Sequence, residues 1–230
     1  MRIDILTLFP ELFPGPLGGS VIGRAARQGT VTVNAVDVRS FATDARGTVD
    51  EKPYGGGPGM LMIPDVLVRA IESVRDAGST VILTSPRGEV FDQRIAAELA
   101  KEEHLILVAG HYEGVDQRVI DLAVDRELSI GDFVLSSGNI AVMAIADAVI
   151  RLLPGVLGDA ESSVEESHSM GLLEYPQYTR PPEFRGSKVP EVLLGGDHGK
   201  VVEFRKREAE RITRLRRPDM WEKYLQTELE

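Results

Sequence analysis

Three short glycine-containing segments carry the residues that are best suited to chemistry. They are YGGGPGM (54–60), LILVAGHYEGVD (105–116) and LSIGDFVLSSGN (128–139). Glycine has no Cβ atom, so the backbone of such segments can approach a ligand closely. In the second segment, His111, Tyr112 and Glu113 directly follow an apolar run. Together the segments predict a ligand site lined by backbone and a few polar side chains.

Each segment also has a purely structural interpretation. A glycine run is often a flexible surface loop, and Glu113 could cap the N-terminus of a helix that begins near Val115. Pro86 and Gly88 end another candidate strand and would form a further loop on the same edge of the fold. Several loops that all follow strands favour one shared site, because parallel strands gather their ligands at their carboxyl ends.

Arg151 and the acidic segment around Glu165 and Glu166 form a second candidate set. Residues 158–168 (GDAESSVEESH) are polar and acidic and have no apolar period, which is typical of a linker or mobile loop. An exposed charged hinge is the simpler interpretation. The functional interpretation is a mobile lid that brings a carboxylate to a reacting proton.

Several kinds of chemistry are disfavoured by what the sequence lacks. It has no cysteine, which excludes disulfides, thiolate metal sites and cysteine nucleophiles. No G-x-G-x-x-G follows a strand and no G-x-x-x-x-G-K-[ST] occurs, which disfavours dehydrogenases, P-loop NTPases and Rossmann-type methyltransferases. The four histidines, at 104, 111, 168 and 198, are scattered, so we expect no metal site.

Composition and charge favour a soluble cytoplasmic protein. The chain has 230 residues, 43% of them hydrophobic. Asp4 and Pro10 interrupt the apolar N-terminus, which disfavours a secretory signal. The longest apolar segment, Ile140–Leu153, contains two charges and is too short to span a bilayer. The net charge is -10, but residues 205–217 (RKREAERITRLRR) carry a local +5. This allows a phosphate-binding stripe on an acidic protein, although a basic solvated helix face is the commoner interpretation.

Short β-branched runs alternate with helical patterns through the first two-thirds of the chain. We predict strands at Ile3–Phe9, Val31–Val38, Thr80–Thr84, Leu105–Ala109 and Leu128–Leu135, and helices at Asp65–Ala77, Asp92–Glu102, Val115–Ala123 and Ile140–Leu153. This alternation predicts an α/β fold with a parallel sheet covered by helices on both faces. A further helix is predicted from about Lys200 to Arg216, with Val201, Phe204, Ile212 and Leu215 as its apolar stripe and Pro218 at its end.

The chain resembles the bacterial tRNA (guanine-N1)-methyltransferase family (TrmD), which belongs to the SPOUT methyltransferase superfamily. The matching runs are LFPELF (8–13), GTVDEKPYGGGPGML (47–61), LTSPRG (83–88), LILVAGHYEGVDQRV (105–119), SIGDFVLSSG (129–138), RLLPGVLG (151–158), GLLEYPQYTRPPEFRG (171–186), VPEVLLGGDH (189–198) and LRRPD (215–219). They follow one another in order through nearly the whole chain. A match of this length is far more specific than any single glycine loop.

The resemblance implies a SPOUT-type parallel-sheet domain with a deep trefoil knot, plus a small helical C-terminal domain. Such a knot is an exception to the rule that chains do not thread loops. Residues 1–158 would form the knotted catalytic domain that binds S-adenosylmethionine, 159–174 a flexible acidic linker or lid, and 175–230 the helical domain that contacts tRNA. The family works as a homodimer with interfacial active sites, methylates guanosine 37 in the anticodon stem-loop, and is helped by magnesium.

By position, the resemblance also implies the site residues. The S-adenosylmethionine pocket would be lined by Pro86, Gly110, Glu113, Ser129, Ile130, Gly131, Asp132, Phe133, Val134, Leu135 and Gly138, with Gly59 beside the methionine end. Arg151 corresponds to the family arginine near the target guanine. Glu166 falls where the family usually has an aspartate as general base.

The chain departs from the family pattern at several of these positions. Glu166 is one methylene longer than aspartate, and Glu165 beside it is an alternative base. His111 stands where an arginine is common. Ser137, Asn139 and Ala141 replace residues associated with glycine, glutamate and proline in other members.

Guanine N1 carries a hydrogen at neutral pH, so a base must remove that proton during attack on the sulfonium. We expect Glu166 to act as this base when tRNA orders the acidic linker, and Arg151 to stabilise the charge that develops on O6. The guanine must leave its stack first. Three alternatives remain at this point: another SPOUT methyltransferase acting on ribosomal RNA or on a different tRNA base, a non-catalytic RNA-binding protein, and a small-molecule enzyme with a nucleotide cofactor.

Overall fold

The computed structural model describes residues 1–158, 166–169 and 171–227. The chain divides into two compact units, Met1–Gly158 and Asp159–Glu230. Half of the predicted linker 159–174, namely residues 159–165 and 170, lies outside the described residues.

A five-stranded parallel sheet forms the centre of the first unit. Its strands are β1 (Arg2–Thr7), β2 (Thr32–Asp37), β5 (Ser79–Val90), β6 (His104–Ala109) and β7 (Arg126–Ser129). They are arranged in the order β2-β1-β6-β5-β7, and every neighbouring pair is parallel. Two very short strands, β3 (Asp50–Glu51) and β4 (Leu61–Met62), form a separate antiparallel pair. The predicted α/β class with a parallel sheet is confirmed.

Six helices accompany the sheet: α1 (Pro14–Gly18), α2 (Ser20–Arg27), α3 (Pro64–Val74), α4 (Gln93–Leu99), α5 (Gln117–Ala123) and α6 (Asn139–Ile150). Side chains of a strand alternate between the two faces of a sheet. Accordingly, Leu105 and Leu107 of β6 belong to one buried cluster, which includes residues of α1, α2, α4 and α6. Ile106 and Val108 belong to a second cluster, which includes residues of α3 and α5. Helices thus cover both faces, as predicted.

The sequence patterns located most elements to within a few residues. The strands predicted at Ile3–Phe9, Val31–Val38 and Leu105–Ala109 are confirmed, as is the helix predicted at Ile140–Leu153. The predicted strand Leu128–Leu135 is wrong beyond Ser129, because Gly131 has φ +142° and directs the chain into a loop. The helices α1 and α2 were not predicted, since the apolar positions in this glycine- and proline-rich stretch are too few to show a period.

A network of polar and charged side chains closes the sheet edge at which the strands begin. Asp4 is 1% exposed and accepts hydrogen bonds from Asn34 Nδ2 at 2.9 Å and Arg2 at 2.6 Å. The ring of buried His104 lies between two carboxylates, with Nε2 2.8 Å from Asp4 Oδ2 and Nδ1 2.9 Å from Asp76 Oδ2. Because carboxylate oxygens accept hydrogen bonds, this network joins the first residues of β1 and β6 to the turn before β5.

Among its described residues, the second unit contains a small hairpin, a short 3-10 helix at Glu191–Leu193 and two α-helices. Its elements are β8 (Glu183–Phe184), β9 (Ser187–Lys188), α7 (His198–Arg216) and α8 (Pro218–Thr227). The predicted end of α7 before Pro218 is confirmed, and a further helix begins at that proline. The predicted apolar stripe is wrong at Leu215, which is 72% exposed, whereas Ala209 and Thr213 are the buried residues of α7. Within the described ranges, no helix combines the length and apolar character needed to cross a membrane.

Candidate active site

A cavity of about 540 Å³ lies at the edge where the strands of the first unit end. Three loops form most of its wall: residues 83–87, 110–115 and 128–138. Each follows or continues one of the adjacent strands β5, β6 and β7. The volume lies within the range of about 300–1,000 Å³ that small-molecule sites usually occupy.

The first wall is a bulge in β5. Leu128 of β7 pairs with both Thr84 and Glu89, so residues 85–88 have no partner in β7 and bend away from it. Ser85, Pro86 and Arg87 of this bulge line the cavity. A Cβ atom on Gly88 would lie 2.5 Å from the backbone of Glu127 and Leu128, so only glycine lets the chain return this closely to β7.

The second wall joins the end of β6 to the start of α6. Gly138 donates its N–H to the carbonyl of Gly110 at 2.7 Å, and Thr84 Oγ1 lies 3.4 Å from the carbonyl of Gly138. A Cβ atom on Gly138 would come within 2.3 Å of Thr84 Oγ1 and 2.6 Å of Gly110 N. The absence of a side chain here is therefore what brings the three loops together.

The glycine-rich loop is held against the segment after β6. Glu113 N donates to Met60 O at 3.0 Å, and Met62 N donates to Gly114 O at 3.0 Å. Gly59 has φ +82°, and a Cβ atom there would lie 2.1 Å from Glu113 Cγ. Gly59 therefore packs directly against the side chain of Glu113, and Glu113 lines the cavity.

An aromatic group lies at one side of the cavity. The His111 ring is 5.2 Å from the Phe9 ring and meets the Tyr112 ring edge to face at 4.8 Å. Burial lowers the pKa of His111 below its ordinary value of 6.5, so the ring is neutral at pH 7. Tyr112 has φ +58°, an uncommon conformation for a residue with a side chain and one that often marks functional sites.

Most of the predicted pocket residues converge on this cavity. Those on its wall are Pro86, Gly110, Glu113, Ser129, Ile130, Gly131, Phe133, Val134, Leu135 and Gly138. Asp132 is exposed and, like Gly59, is absent from the wall. Their roles in binding a donor remain predictions.

Sequence reasoning missed four polar residues of the wall: Thr84, Ser85, Arg87 and Gln117. Arg87 and Gln117 line the cavity, and Arg87 NH2 lies 3.4 Å from Gln117 Oε1 and 3.7 Å from Glu127 Oε2. Arg87 lies inside the LTSPRG run, next to the predicted site residue Pro86, and this position could have identified it as a wall residue. Gln117 lies inside the 105–119 run, but its place in the first turn of the predicted helix Val115–Ala123 is equally typical of an ordinary helix residue.

The two predicted catalytic residues lie in different units. Arg151 is half-buried at the end of α6, where its N–H donates to Asp147 O at 3.1 Å. Glu166 is half-buried in the second unit, and its carbonyl accepts the N–H of Ser169 at 3.2 Å. Glu165, the alternative base, lies outside the described residues. Across the described part of the chain, no three histidine, aspartate or glutamate side chains are grouped as metal ligands.

Comparison with known proteins adds independent information. The profile of the tRNA (Guanine-1)-methyltransferase TrmD family matches residues 1–223. The chain is 52% identical to a tRNA (guanine-N(1)-)-methyltransferase of Rhodospirillum rubrum, over 98% of this chain and 94% of the relative. It is 54% identical to that of Moorella thermoacetica, over 96% and 90%, and 55% identical to that of Rhodopseudomonas palustris, over 96% and 89%.

Proposed function

Since this chain belongs to the tRNA (guanine-1)-methyltransferase TrmD family, it is an enzyme that methylates N1 of guanine in tRNA, and we propose that its target is guanosine 37, next to the anticodon. The methyl donor of the family is S-adenosylmethionine. Of the alternatives left open by the sequence, family membership disfavours the non-catalytic RNA-binding protein and the small-molecule enzyme.

The cavity at the carboxyl edge is the observation that carries the assignment of the donor site. Its wall is formed by loops in which Gly88 and Gly138 have no room for a side chain, so their main chain packs closely. Exposed peptide groups can read the edge of an adenine, and Leu83, Ile130 and Leu135 provide apolar contact for its face. These residues fit a nucleoside with a short aliphatic tail.

Glu113 is the carboxylate that we place nearest the positive sulfur of the donor. The donor supplies a methyl group on a sulfonium, and an acidic wall favours such a cation. His111 stays neutral beside it because burial holds the pKa of His111 down, so it adds no opposing charge. Glu113 therefore contributes to donor binding rather than to proton transfer.

Glu166 is the proposed general base and Arg151 the proposed electrostatic partner. Glu166 accepts the N1 proton of guanine as N1 forms its bond to the methyl carbon, and the electrons of the carbon–sulfur bond remain on sulfur. Negative charge then develops on O6, and the guanidinium of Arg151 stabilises it with hydrogen bonds. Because no metal ligand group occurs among the described residues, no step is assigned to magnesium.

We also propose that the first unit carries the trefoil knot of the SPOUT class and works in the cytoplasm as a homodimer. The tight contact of Gly138 with Gly110 and Thr84 supports a threaded chain at this point. Phe133, Val134 and Ile140 are 54%, 82% and 54% exposed around the cavity, which supports burial of this surface by a second copy.

The second unit is proposed to contact the anticodon stem-loop through α7. Seven of the thirteen residues 205–217 are Lys or Arg. Among the residues that the structure describes, Arg211 and Arg217 are paired with Glu208 and Asp219, whereas Arg214 and Arg216 are exposed and form no ion pair. Such exposed cations are suited to phosphate contacts.

The function is tested with unmodified tRNA transcripts, labelled donor and nucleoside analysis. The wild type should produce N1-methylguanosine, and a transcript with adenosine at position 37 should accept no methyl group. Glu166→Gln should reduce kcat by at least about a hundredfold, the lower end for loss of a general base. Donor affinity, measured by calorimetry, should stay near the wild-type value.

Two matched variants locate the base. Glu174→Gln changes another half-buried glutamate of the same unit and should retain activity. Glu165→Gln should also retain it. If Glu166→Gln remains active while Glu165→Gln does not, the base is Glu165, and the role assigned to Glu166 is wrong.

A further inference from the structure

Four charged side chains form a closed ring of ion pairs beside the β5 bulge. Arg126 lies 2.7 Å from Glu89 and 3.4 Å from Glu98. Arg94 lies 3.2 Å from Glu89 and 2.6 Å from Glu98. Each carboxylate uses one oxygen for each arginine, so the charges alternate around what we call the four-charge ring.

The four-charge ring connects three elements of the first unit. Glu89 belongs to β5, Arg94 and Glu98 to α4, and Arg126 is the first residue of β7. Hydrogen bonding with Arg126 lowers the pKa of Glu89, and the same contact raises the pKa of Arg126. Arg126 is the least exposed member, with 29% of its side chain accessible.

Glu89 occupies a particular place in this arrangement. It is the first residue after the bulge to pair with β7, and it pairs with Leu128, which already pairs with Thr84 before the bulge. Residues 85–88 therefore leave and rejoin the sheet at a single position of β7. The main chain of residues 85–88 has no partner in β7. Its conformation therefore depends on how rigidly Glu89, the residue at which the chain rejoins β7, is held.

We propose that Glu89, acting through Arg126, is a positioning residue that fixes the returning end of the bulge and thereby the wall formed by Ser85, Pro86 and Arg87. The inference rests on the proposed function, since that function assigns the cavity to S-adenosylmethionine. Single exposed ion pairs contribute little, but a network of alternating charges holds its geometry better. Within the described residues, Glu89 is the one ring member that lies on the strand carrying the bulge.

The test compares Glu89→Gln with Arg75→Gln. Arg75 pairs with Asp125 at 3.1 Å, at the opposite end of the same β5–β7 pair, with 36% and 40% side-chain exposure. Calorimetric titration with S-adenosylmethionine should give a Kd three- to tenfold higher for Glu89→Gln and an unchanged Kd for Arg75→Gln. At saturating donor, kcat of both should stay within twofold of the wild type.

Three further measurements separate positioning from a general loss of stability. Amide hydrogen exchange at Arg87 and Gly88 should be faster in Glu89→Gln than in Arg75→Gln. The effect on Kd should shrink in 1 M salt, where charges are screened within about 3 Å. In the Glu89→Gln, Arg126→Gln double variant, Kd should be no higher than in Glu89→Gln alone.

Equal Kd values and equal exchange rates in the two variants would overturn the inference. A fall in kcat with unchanged Kd would do the same. Failure of the wild type to bind S-adenosylmethionine would overturn the proposed function instead, and the exchange measurement would still decide whether Glu89 holds the bulge.

Discussion

The two edges of the parallel sheet are built by opposite means. At the edge where strands begin, the buried side chains of Asp4 and His104 join neighbouring strands through a polar contact of 2.8 Å. At the edge where strands end, the loops meet through main chain, and Gly138 leaves no room for a side chain. The side-chain contacts that hold neighbouring strands together therefore lie at the edge where strands begin, and the loops at the other edge are available to form a cavity.

The largest effect is expected from Asp4→Asn, which would weaken the first edge alone. Removing the buried Asp4 carboxylate should reduce the free energy of unfolding by about 3 kcal/mol, because Arg2, Asn34 and His104 all lose a partner that is shielded from water. Urea denaturation measures this loss, and donor Kd should remain unchanged. If Asp4→Asn reduces the free energy of donor binding by more than it reduces the free energy of unfolding, the two edges do not have these separate roles.

Asp65→Asn is the matched control for this change. Asp65 pairs with Arg69 at 3.3 Å, but their side chains are 65% and 41% exposed. Pairs of this kind contribute about 0–1 kcal/mol. A loss as large as that of Asp4→Asn would show that burial is not what makes the Asp4 network important.

Gly138→Ala tests the second edge and should have the next largest effect. Its backbone has φ -71°, which alanine adopts without strain, so any effect comes from the added methyl against Gly110 N and Thr84 Oγ1. We expect donor Kd to rise at least tenfold and stability to fall by about 1–3 kcal/mol, as for overpacked sites. Gly15→Ala, where a Cβ atom meets nothing within 4 Å, should change neither quantity. An unchanged donor Kd in Gly138→Ala would contradict this account of the wall.

The smallest effect concerns pH and His111. Burial lowers the pKa of His111, so the unfolded chain takes up a proton near pH 6.5 that the folded ring resists. The resulting contribution to stability is present above that pH and declines as the pH falls toward the folded pKa. The shift of the urea midpoint between pH 7.5 and 5.5 should therefore be smaller in His111→Gln than in the wild type. Proton NMR should place the His111 titration below 6.5, and a titration above 6.5 would refute the assignment.

Sequence patterns predicted the sheet better than they predicted the details of its loops. β1 and β6 were located because their apolar runs are uninterrupted, and α6 because Val142, Ile145, Ala146 and Val149 recur at helical spacing. The predicted strand through Leu135 failed because the run from Phe133 to Leu135 is apolar for a different reason: it lines the cavity and its rim.

The candidate site shows the same limit. The glycine-containing segments predicted close approach of the backbone, but which atoms they approach depends on contacts between segments far apart in sequence, such as Thr84 and Gly138. Gln117 could not be identified from its type or spacing. The four-charge ring was equally hidden, because Glu89 and Arg126 are 37 residues apart.

The double pairing of Leu128 has a consequence for how this enzyme could change over evolutionary time. Both anchor points of the bulge lie outside residues 85–88, so a residue gained or lost between them would leave the alignment of β5 with β7 on either side intact. The shape of the cavity can thus change while the pairing of β5 with β7 stays the same. Changes to this wall are accordingly easiest to accommodate at Ser85, Pro86 and Arg87, since Gly88 has no room for a side chain.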